Sequence, residues 1–228
     1  MGETLFTNVS VIDGTGAEPF DGAVLVRGNQ IAAVTRGDTP EAGDADIVDG
    51  GGATLMPGLI DAHAHLSFLD SATLGDINAQ SAERHILETA KNARKMLDHG
   101  FTSMFSGSSA RDNLEVALRD AINAGDIPGP RLKAATRQMT VTGGFGDIGR
   151  EDAYSLVLDG PDAFRDACRA AARAGVDTFK IVPSAMGSGP DPLAEDTAMS
   201  DDEVVAVCEV ARQRNRMVAA HARSAEAV

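Results

Sequence analysis

Several residue types that mark secreted or membrane-bound chains are scarce in this sequence. Its 228 residues include two cysteines, one tyrosine and no tryptophan. Cys168 and Cys208 are too few for a disulfide framework and lie on apolar helical faces, which predicts packed thiols in a reducing compartment. The first residues, MGETLF, lack the basic start and apolar run of a signal peptide, and no stretch approaches the about 20 apolar residues that span a membrane. We therefore expect a cytoplasmic protein without a membrane partner.

Positive charge is also scarce. The chain has 20 lysines and arginines against 34 aspartates and glutamates, a formal net charge of -14. Because nucleic-acid phosphates are bound by clustered lysine and arginine, this composition argues against a nucleic-acid partner. The apolar fraction of 43% is enough for a sizeable core.

The pattern of predicted elements changes near residue 56. Residues 1–56 contain short β-rich stretches separated by glycine turns, which predicts a small β-layer. From Thr54 onward, strands alternate with amphipathic helices, and this alternation predicts a parallel sheet with helices outside. Both an open doubly wound sheet and part of a (β/α)8 barrel fit the pattern. The five predicted strands of this region are Thr54–Ala62, Thr102–Phe105, Leu132–Arg137, Thr178–Val182 and Met217–Ala220.

Helical periodicity and loop length give two further expectations. The helix before Gly125 should bury one face, formed by Leu114, Ala117, Leu118 and Ala121. His85 and His99 fall on predicted helix exteriors, where we expect them to be solvated. The loops Gln138–Asp159 and Pro183–Met199 are unusually long, and long loops after parallel strands often build active sites.

Two of the five histidines, His63 and His65, lie at the end of the first of these strands. Residues i and i+2 of a strand share a face, so both imidazoles should project together, which suits a first-row transition metal. The alternative is a pair of polar residues on an exposed edge strand. Because Leu55, Met56, Leu59 and Ile60 make the segment apolar, we expect a buried strand and favour the metal.

Two later strand ends carry further candidate ligands. Lys180 lies inside the apolar run Thr178–Val182, where a buried ammonium tends to lose its charge. A neutral amine can form a carbamate with carbon dioxide, although a lysine at a strand terminus could simply reach solvent. His221 follows the fifth strand, and considered alone it fits a hydrogen-bonded core histidine better than a metal ligand.

The stretch LMPGLIDAHAHL at residues 55–66 resembles the first-strand signature of the amidohydrolase superfamily. The segment from Asp98 to Thr102 and the segment GDIPGPR at residues 125–131 are also similar to family motifs. The nearest resemblance is to the imidazolonepropionase- and prolidase-like branch, which includes Xaa-Pro dipeptidases and carboxypeptidases. It implies an α/β fold, a (β/α)8 TIM barrel, with residues 57–228 as the first part and strands 1–5 present. Residues 1–56 would then be the N-terminal portion of a small β-sandwich domain built from both chain ends.

The resemblance also implies a binuclear site with two divalent transition metal ions, usually zinc. His63 and His65 would hold the more buried metal, His221 the more exposed one, and carbamylated Lys180 would bridge both. The proton-shuttling Asp expected after strand eight lies outside this chain. We therefore expect the C-terminal part of the barrel to be absent from this sequence or supplied by a second chain.

The resemblance implies a hydrolase that cleaves an amide-type C–N bond of a small substrate with a metal-activated hydroxide. A dipeptide, an N-acyl amino acid or a cyclic amide would fit. Phe145 replaces a histidine that the branch often has after Gly-Gly, so it could face an apolar substrate, or it could simply pack. The alternative to an enzyme is a non-catalytic half or a split subunit that needs a partner. We also expect a homo-oligomer, unless a second chain completes the barrel.

Overall fold

The computed structural model describes residues 2–185 and 196–228, which divide into two compact units. The first unit ends at Gly58 and the second is Leu59–Val228. In the described part of the chain, no helix is both long and apolar enough to cross a membrane.

The first unit is a five-stranded sheet. Its order is β3-β2-β1-β4, and β5 also pairs with β1. The β1–β2 and β2–β3 pairs are antiparallel, whereas β4 and β5 run parallel to β1. Leu5 and Leu25 belong to one small apolar cluster and Val9 and Val24 to another. The strands are β1 (Glu3–Val11), β2 (Phe20–Arg27), β3 (Gln30–Arg36), β4 (Asp46–Asp49) and β5 (Thr54–Leu55).

The second unit alternates strands and helices along the chain. Its strands are β6 (Leu59–Ala64), β7 (Phe101–Ser106), β8 (Arg131–Lys133), β9 (Ala135–Thr140), β10 (Ser155–Val157), β11 (Thr178–Ile181) and β12 (Met217–Ala220). Its helices are α1 (Ala82–Asp98), α2 (Leu114–Ala124), α3 (Pro161–Ala174) and α4 (Asp201–Arg214). Two short 3₁₀ turns, Leu66–Phe68 and Leu74–Asp76, follow β6.

In the described part of the second unit, β6 to β12 pair only in parallel, and an isolated antiparallel bridge joins Ser184 and Thr197. One sheet has the order β6-β7-β8 and the other β10-β9-β11-β12. The larger apolar core includes Phe164 and Cys168 of α3, Phe179 of β11 and Val207 of α4. Parallel pairing with helices between strands confirms the predicted mixed α/β class. It also brings the C-terminal ends of successive strands to one edge of each sheet, where the candidate ligands lie.

Two predicted strands are divided in the structure. The prediction of one strand over Thr54–Ala62 was wrong, because Met56–Gly58 interrupts it and separates β5 from β6. Proline lacks the N–H that a ladder needs, so the Pro57-Gly58 pair ends the strand. The predicted strand Leu132–Arg137 is likewise divided, at Ala134, into β8 and β9. The loop predicted over Gln138–Asp159 contains β10, and much of the loop Pro183–Met199 lies outside the described residues.

The burial predicted around the His-x-His motif was also wrong. The exposed fractions are 49% for Met56, 41% for Leu59 and 69% for Ile60. Within the described residues, β6 is the edge strand of its sheet and pairs only with β7. The apolar residues before His63 therefore do not belong to a strand whose two faces are both buried.

The burial of two helical residues, His85 and Ala117, differs from the prediction, and a glutamate next to the predicted apolar face is buried. His85 of α1 has no exposed surface, so its predicted position on a solvated exterior was wrong, whereas His99 is exposed. On α2, Ala117 is exposed and Glu115 is fully buried. Both buried groups have partners from distant parts of the chain, which a helical pattern does not reveal.

Candidate metal centre

His63 and His65 lie at the C-terminal end of β6. His63 is inside the strand, and the carboxylate of Asp61 accepts a hydrogen bond from its backbone N–H at 3.0 Å. His65 follows the strand and begins the turn Leu66–Phe68 with φ -130° and ψ 65°. The two ring centroids are 5.0 Å apart with the planes at 62°. The imidazoles are therefore neighbours, as their spacing predicted.

Gly107, directly after β7, supports both imidazoles, and the sequence reasoning missed it. Its N–H donates to the carbonyl of Ala64 at 2.6 Å. A Cβ built on Gly107 would lie 2.6 Å from Cδ2 of His63 and 2.9 Å from Cε1 of His65. The Oγ of the next residue, Ser108, lies 3.4 Å from Nδ1 of His65. A glycine at the end of the second parallel strand was the signal available in the sequence.

Lys180 is the third group of this cluster. It lies on β11, is only 2% exposed, and its Nζ is 3.4 Å from Nε2 of His63. Burial lowers the pKa of the Lys180 amine to about 8, because a low-dielectric environment disfavours the ammonium. The alternative of a lysine that reaches solvent is thus excluded, and an appreciable fraction of this amine is neutral near pH 8.

His221 lies on the neighbouring strand end. β11 and β12 pair in register with Lys180 opposite Ala219, and the backbone N–H of His221 donates to the carbonyl of Ile181 at 3.0 Å. Two residues beyond Ala219, His221 continues the same face as Lys180. Its Nε2 is buried, and within the described residues it has no hydrogen-bond partner. Because burial of an unpaired ring nitrogen is unfavourable, this atom is available to a ligand that the protein does not supply.

The electrostatics of the cluster fit a metal ion. Burial is the largest cause of a lowered pKa in His63, His65 and His221, and the pKa of His65 falls to about 4. Neutral imidazoles keep a nitrogen lone pair, which metal coordination requires. Within the described residues, no group of three or more His, Cys, Asp or Glu side chains is close enough to hold a metal. The arrangement is therefore two histidines and a lysine amine, with a third histidine on the adjacent strand.

Phe145 lies against this cluster. Its ring is stacked on that of His221, with centroids 6.0 Å apart and planes at 25°, and it is only 9% exposed. The side chain of Gln138 donates to the Phe145 carbonyl at 3.2 Å, and Ser155 Oγ donates to the carbonyl of Gly146. The loop thus holds Phe145 beside a candidate ligand, and its role towards a substrate stays a prediction.

Known proteins share this fold and sequence pattern. The model of the amidohydrolase family matches residues 54–228. Ochratoxinase from Aspergillus niger is 28% identical over an alignment that covers 73% of this chain and 38% of that protein. A solved prolidase, in complex with N-methylphosphonate-L-proline, superposes with a TM-score of 0.86 and 27% identity, over 99% of this chain and 57% of that one. A solved Xaa-Pro dipeptidase with bound methionine superposes with a TM-score of 0.85 and 26% identity, over 99% of this chain and 58% of that one.

These matches confirm the resemblance to the prolidase-like branch, and the TIM-barrel type of the structural neighbours agrees with the parallel α/β pattern. The chain spans 38% of the length of the ochratoxinase and 57–58% of the two solved chains, and corresponds to the N-terminal part of larger relatives. Since the family model matches well over half of its residues, the chain belongs to the amidohydrolase family.

Proposed function

We propose that this chain contributes to a metal-dependent hydrolase that cleaves an amide-type C–N bond in a small substrate. The observation that carries the proposal is the buried Lys180 amine, 3.4 Å from Nε2 of His63. Among the described residues, Lys180 forms no ion pair with a carboxylate, and burial lowers the pKa of its amine. A coordinating role would explain its position.

In this proposal the ligands are His63, His65, Lys180 and His221, and the site takes two divalent metal ions, with zinc suited to imidazole nitrogen. The neutral Lys180 amine would attack carbon dioxide, so that an N–C bond forms as one C=O π bond opens. The proton lost from nitrogen passes to solvent water, and the carbamate shares one negative charge between its two oxygens. When bound, a divalent metal lowers the pKa of water and polarises the scissile carbonyl. Gly107 and Ser108 would keep the imidazoles of His63 and His65 together.

The substrate class is proposed from the relatives and from Phe145. The prolidase structure holds N-methylphosphonate-L-proline and the dipeptidase structure holds methionine, which are both small molecules related to amino acids. A dipeptide, an N-acyl amino acid or a cyclic amide therefore fits. Phe145 would offer an apolar ring next to His221, which favours a substrate with an apolar or aromatic group on that side.

We also propose that the strands of the second unit form the first part of a (β/α)8 barrel, and residues 1–56 part of a composite β-sandwich. The exposed Leu59 and Ile60 on edge strand β6 are consistent with a further strand that pairs there. This observation also supports a second candidate function, a split subunit whose partner completes the site. A cytoplasmic location and a homo-oligomeric state remain predictions.

The central test is the metal content of the purified protein. We expect about two transition-metal ions per complete active site, and their loss, together with turnover, in Lys180→Met. Methionine fills a similar buried volume without an amine, and Lys133→Met is the matched control because Lys133 is exposed on β8. A Lys180→Met protein that retains metal and turnover would disprove the ligand role. A native mass near 23.6 kDa without metal or partner would contradict the enzyme.

A further inference from the structure

A buried polar network lies behind the candidate metal centre, and the proposed chemistry does not use it. Its members are Ser67, His85, Arg111 and Glu115, here called the Ser67 network. Ser67, His85 and Glu115 are each 0% exposed. Two buried titratable groups in one network are unusual, because burying a charge or an unpaired polar group destabilises a fold.

Ser67 is the centre of the network and makes three hydrogen bonds. Its Oγ donates to Oε1 of Glu115 at 2.9 Å and accepts the backbone N–H of Ala110 at 2.8 Å. Its carbonyl accepts a hydrogen bond from Nε2 of His85 at 2.6 Å. These partners belong to α2, to the segment after β7 and to α1. A single serine therefore fastens the turn after β6 to three other elements.

The protonation state of His85 follows from its two partners. Arg111 Nε lies 3.0 Å from Nδ1 of His85, and a guanidinium can only donate, so Nδ1 accepts. The single ring proton is then on Nε2, where it donates to the Ser67 carbonyl. Burial, followed by the charge of Arg111, lowers the pKa of His85, which agrees with a neutral ring. Arg111 is itself held, because its Nη2 donates to the carbonyls of Asn78 and Gln80.

Glu115 completes the network from α2. Burial raises the pKa of its carboxyl to about 7. Oε1 accepts the Ser67 hydroxyl, and the Ser106 hydroxyl and the Ala135 backbone nearby also lower the pKa against the larger effect of burial. Glu115 lies between Leu114 and Val116, which are also buried. Its defined contact is with the turn that carries Ser67.

That turn directly supports a candidate metal ligand. Ser67 is two residues after His65, and the ring of Phe68, the next residue, lies 4.4 Å from the His65 ring with the planes at 31°. On the other side, Ala110 is three residues after Gly107, where a Cβ would collide with both imidazoles. The network therefore ties together the two segments between which His65 is held.

We propose that the Ser67 network positions the His65 imidazole, so that the affinity of the site for metal depends on Ser67, His85 and Glu115 although none of them touches the metal. This inference rests on the proposed metal site. Groups that orient a ligand from behind commonly change metal affinity by about 10- to 100-fold when they are removed. We expect that range for Ser67→Ala and for Glu115→Leu.

Two measurements test the network separately from the metal site. One is Zn²⁺ affinity by competition with a chelator, and the other is hydrogen exchange of residues 64–69 in the metal-free protein. Glu115→Gln keeps an acceptor for Ser67 and should behave like the unchanged protein, whereas Glu115→Leu should not. Ser71→Ala is the matched control, because that hydroxyl donates to the carbonyl of Phe68 in the same segment but lies outside the network. Urea unfolding of each variant confirms that it is folded.

The outcomes separate this inference from the proposed function. The inference is supported if Ser67→Ala and Glu115→Leu show faster exchange at residues 64–69 and weaker Zn²⁺ binding. Glu115→Gln and Ser71→Ala should then show neither change. Unchanged exchange in Ser67→Ala, or faster exchange with unchanged Zn²⁺ affinity, overturns it. If the unchanged protein binds no metal, the proposed function fails and the inference about metal affinity fails with it. If the unchanged protein binds Zn²⁺ and the variants bind it equally well, only the inference fails.

Discussion

Replacing Gly107 with alanine tests most directly whether the positions of the two imidazoles matter. The new Cβ would lie 2.6 Å from Cδ2 and 2.7 Å from Nε2 of His63, and 2.9 Å from Cε1 of His65. Carbon atoms in contact are about 3.5–4.0 Å apart, so the rings must move by roughly 1 Å. The φ of Gly107 is not positive, so alanine introduces no backbone strain there.

Gly107→Ala should reduce activity and metal affinity more than it reduces the stability of the fold. The His63 side chain is exposed and can swing away, so we expect little change in the free energy of unfolding. A displacement of about 1 Å at a reacting centre can reduce activity about 100-fold, which corresponds to about 2.7 kcal/mol. Metal affinity should fall together with activity, because Nε2 of His63 is among the displaced atoms.

Metal affinity and turnover of Gly107→Ala should be measured beside those of Gly75→Ala. Gly75 is the matched control, since it also lacks a positive φ and its added Cβ would meet only Oγ1 of Thr73, at 3.7 Å. Both variants should unfold at similar urea concentrations, and only Gly107→Ala should lose metal. Equal metal affinity in the two variants would refute the argument that Gly107 sets the spacing of the imidazoles.

Two further predictions concern stability. The metal-free protein should become less stable as the pH falls from 6.5 to about 4, because unfolded His65 binds a proton that the native ring, with its pKa of about 4, does not bind. The free energy of unfolding should fall by at most about 3 kcal/mol, and it should fall less in His65→Gln. Equal pH dependence of urea unfolding in the unchanged protein and in His65→Gln would contradict this prediction. Asp177 accepts hydrogen bonds from Arg119 and from the Ala134 N–H at 2.7 and 2.9 Å. Asp177→Ala should therefore lose about 2 kcal/mol in the same assay, and more than Asp177→Asn, which keeps an acceptor; the reverse order would contradict this.

Local signals in the sequence predicted several element boundaries. Helix α3 begins at Pro161 and ends before Gly175, whose φ of 96° suits a residue without a Cβ. Helix α4 begins after Ser200, whose N–H donates to the carboxylate of Glu203 in a capping box of the Ser-x-x-Glu type. Strand β12 has the predicted bounds Met217–Ala220. These boundaries depend on residues within one helical turn or one strand, so a short window contains their cause.

The part of the candidate metal site that the sequence predicted also depends on residues close together in the chain. The pair His63 and His65 is visible because two residues on one strand end are close by geometry alone. Lys180 was noticed as a charge within an apolar run, but its contact with His63 spans 117 residues. Gly107 was missed, because a close approach to another segment leaves no local pattern beyond the glycine itself.

By itself, the sequence determined the alternation of strands and helices, the helix ends and the residue types suited to a metal, because each follows from backbone geometry over a few residues. Only the tertiary structure decided which polar groups are buried together. Glu115 and Ser67 are 48 residues apart, and Glu115, which is not part of the predicted apolar face of α2, is buried where its partner comes from another element. Likewise, Leu59 and Ile60 are apolar yet exposed, because burial depends on which strands pair beside them. A sequence pattern shows which contacts a residue can make, and the neighbours that the tertiary structure brings to that residue decide which contacts form.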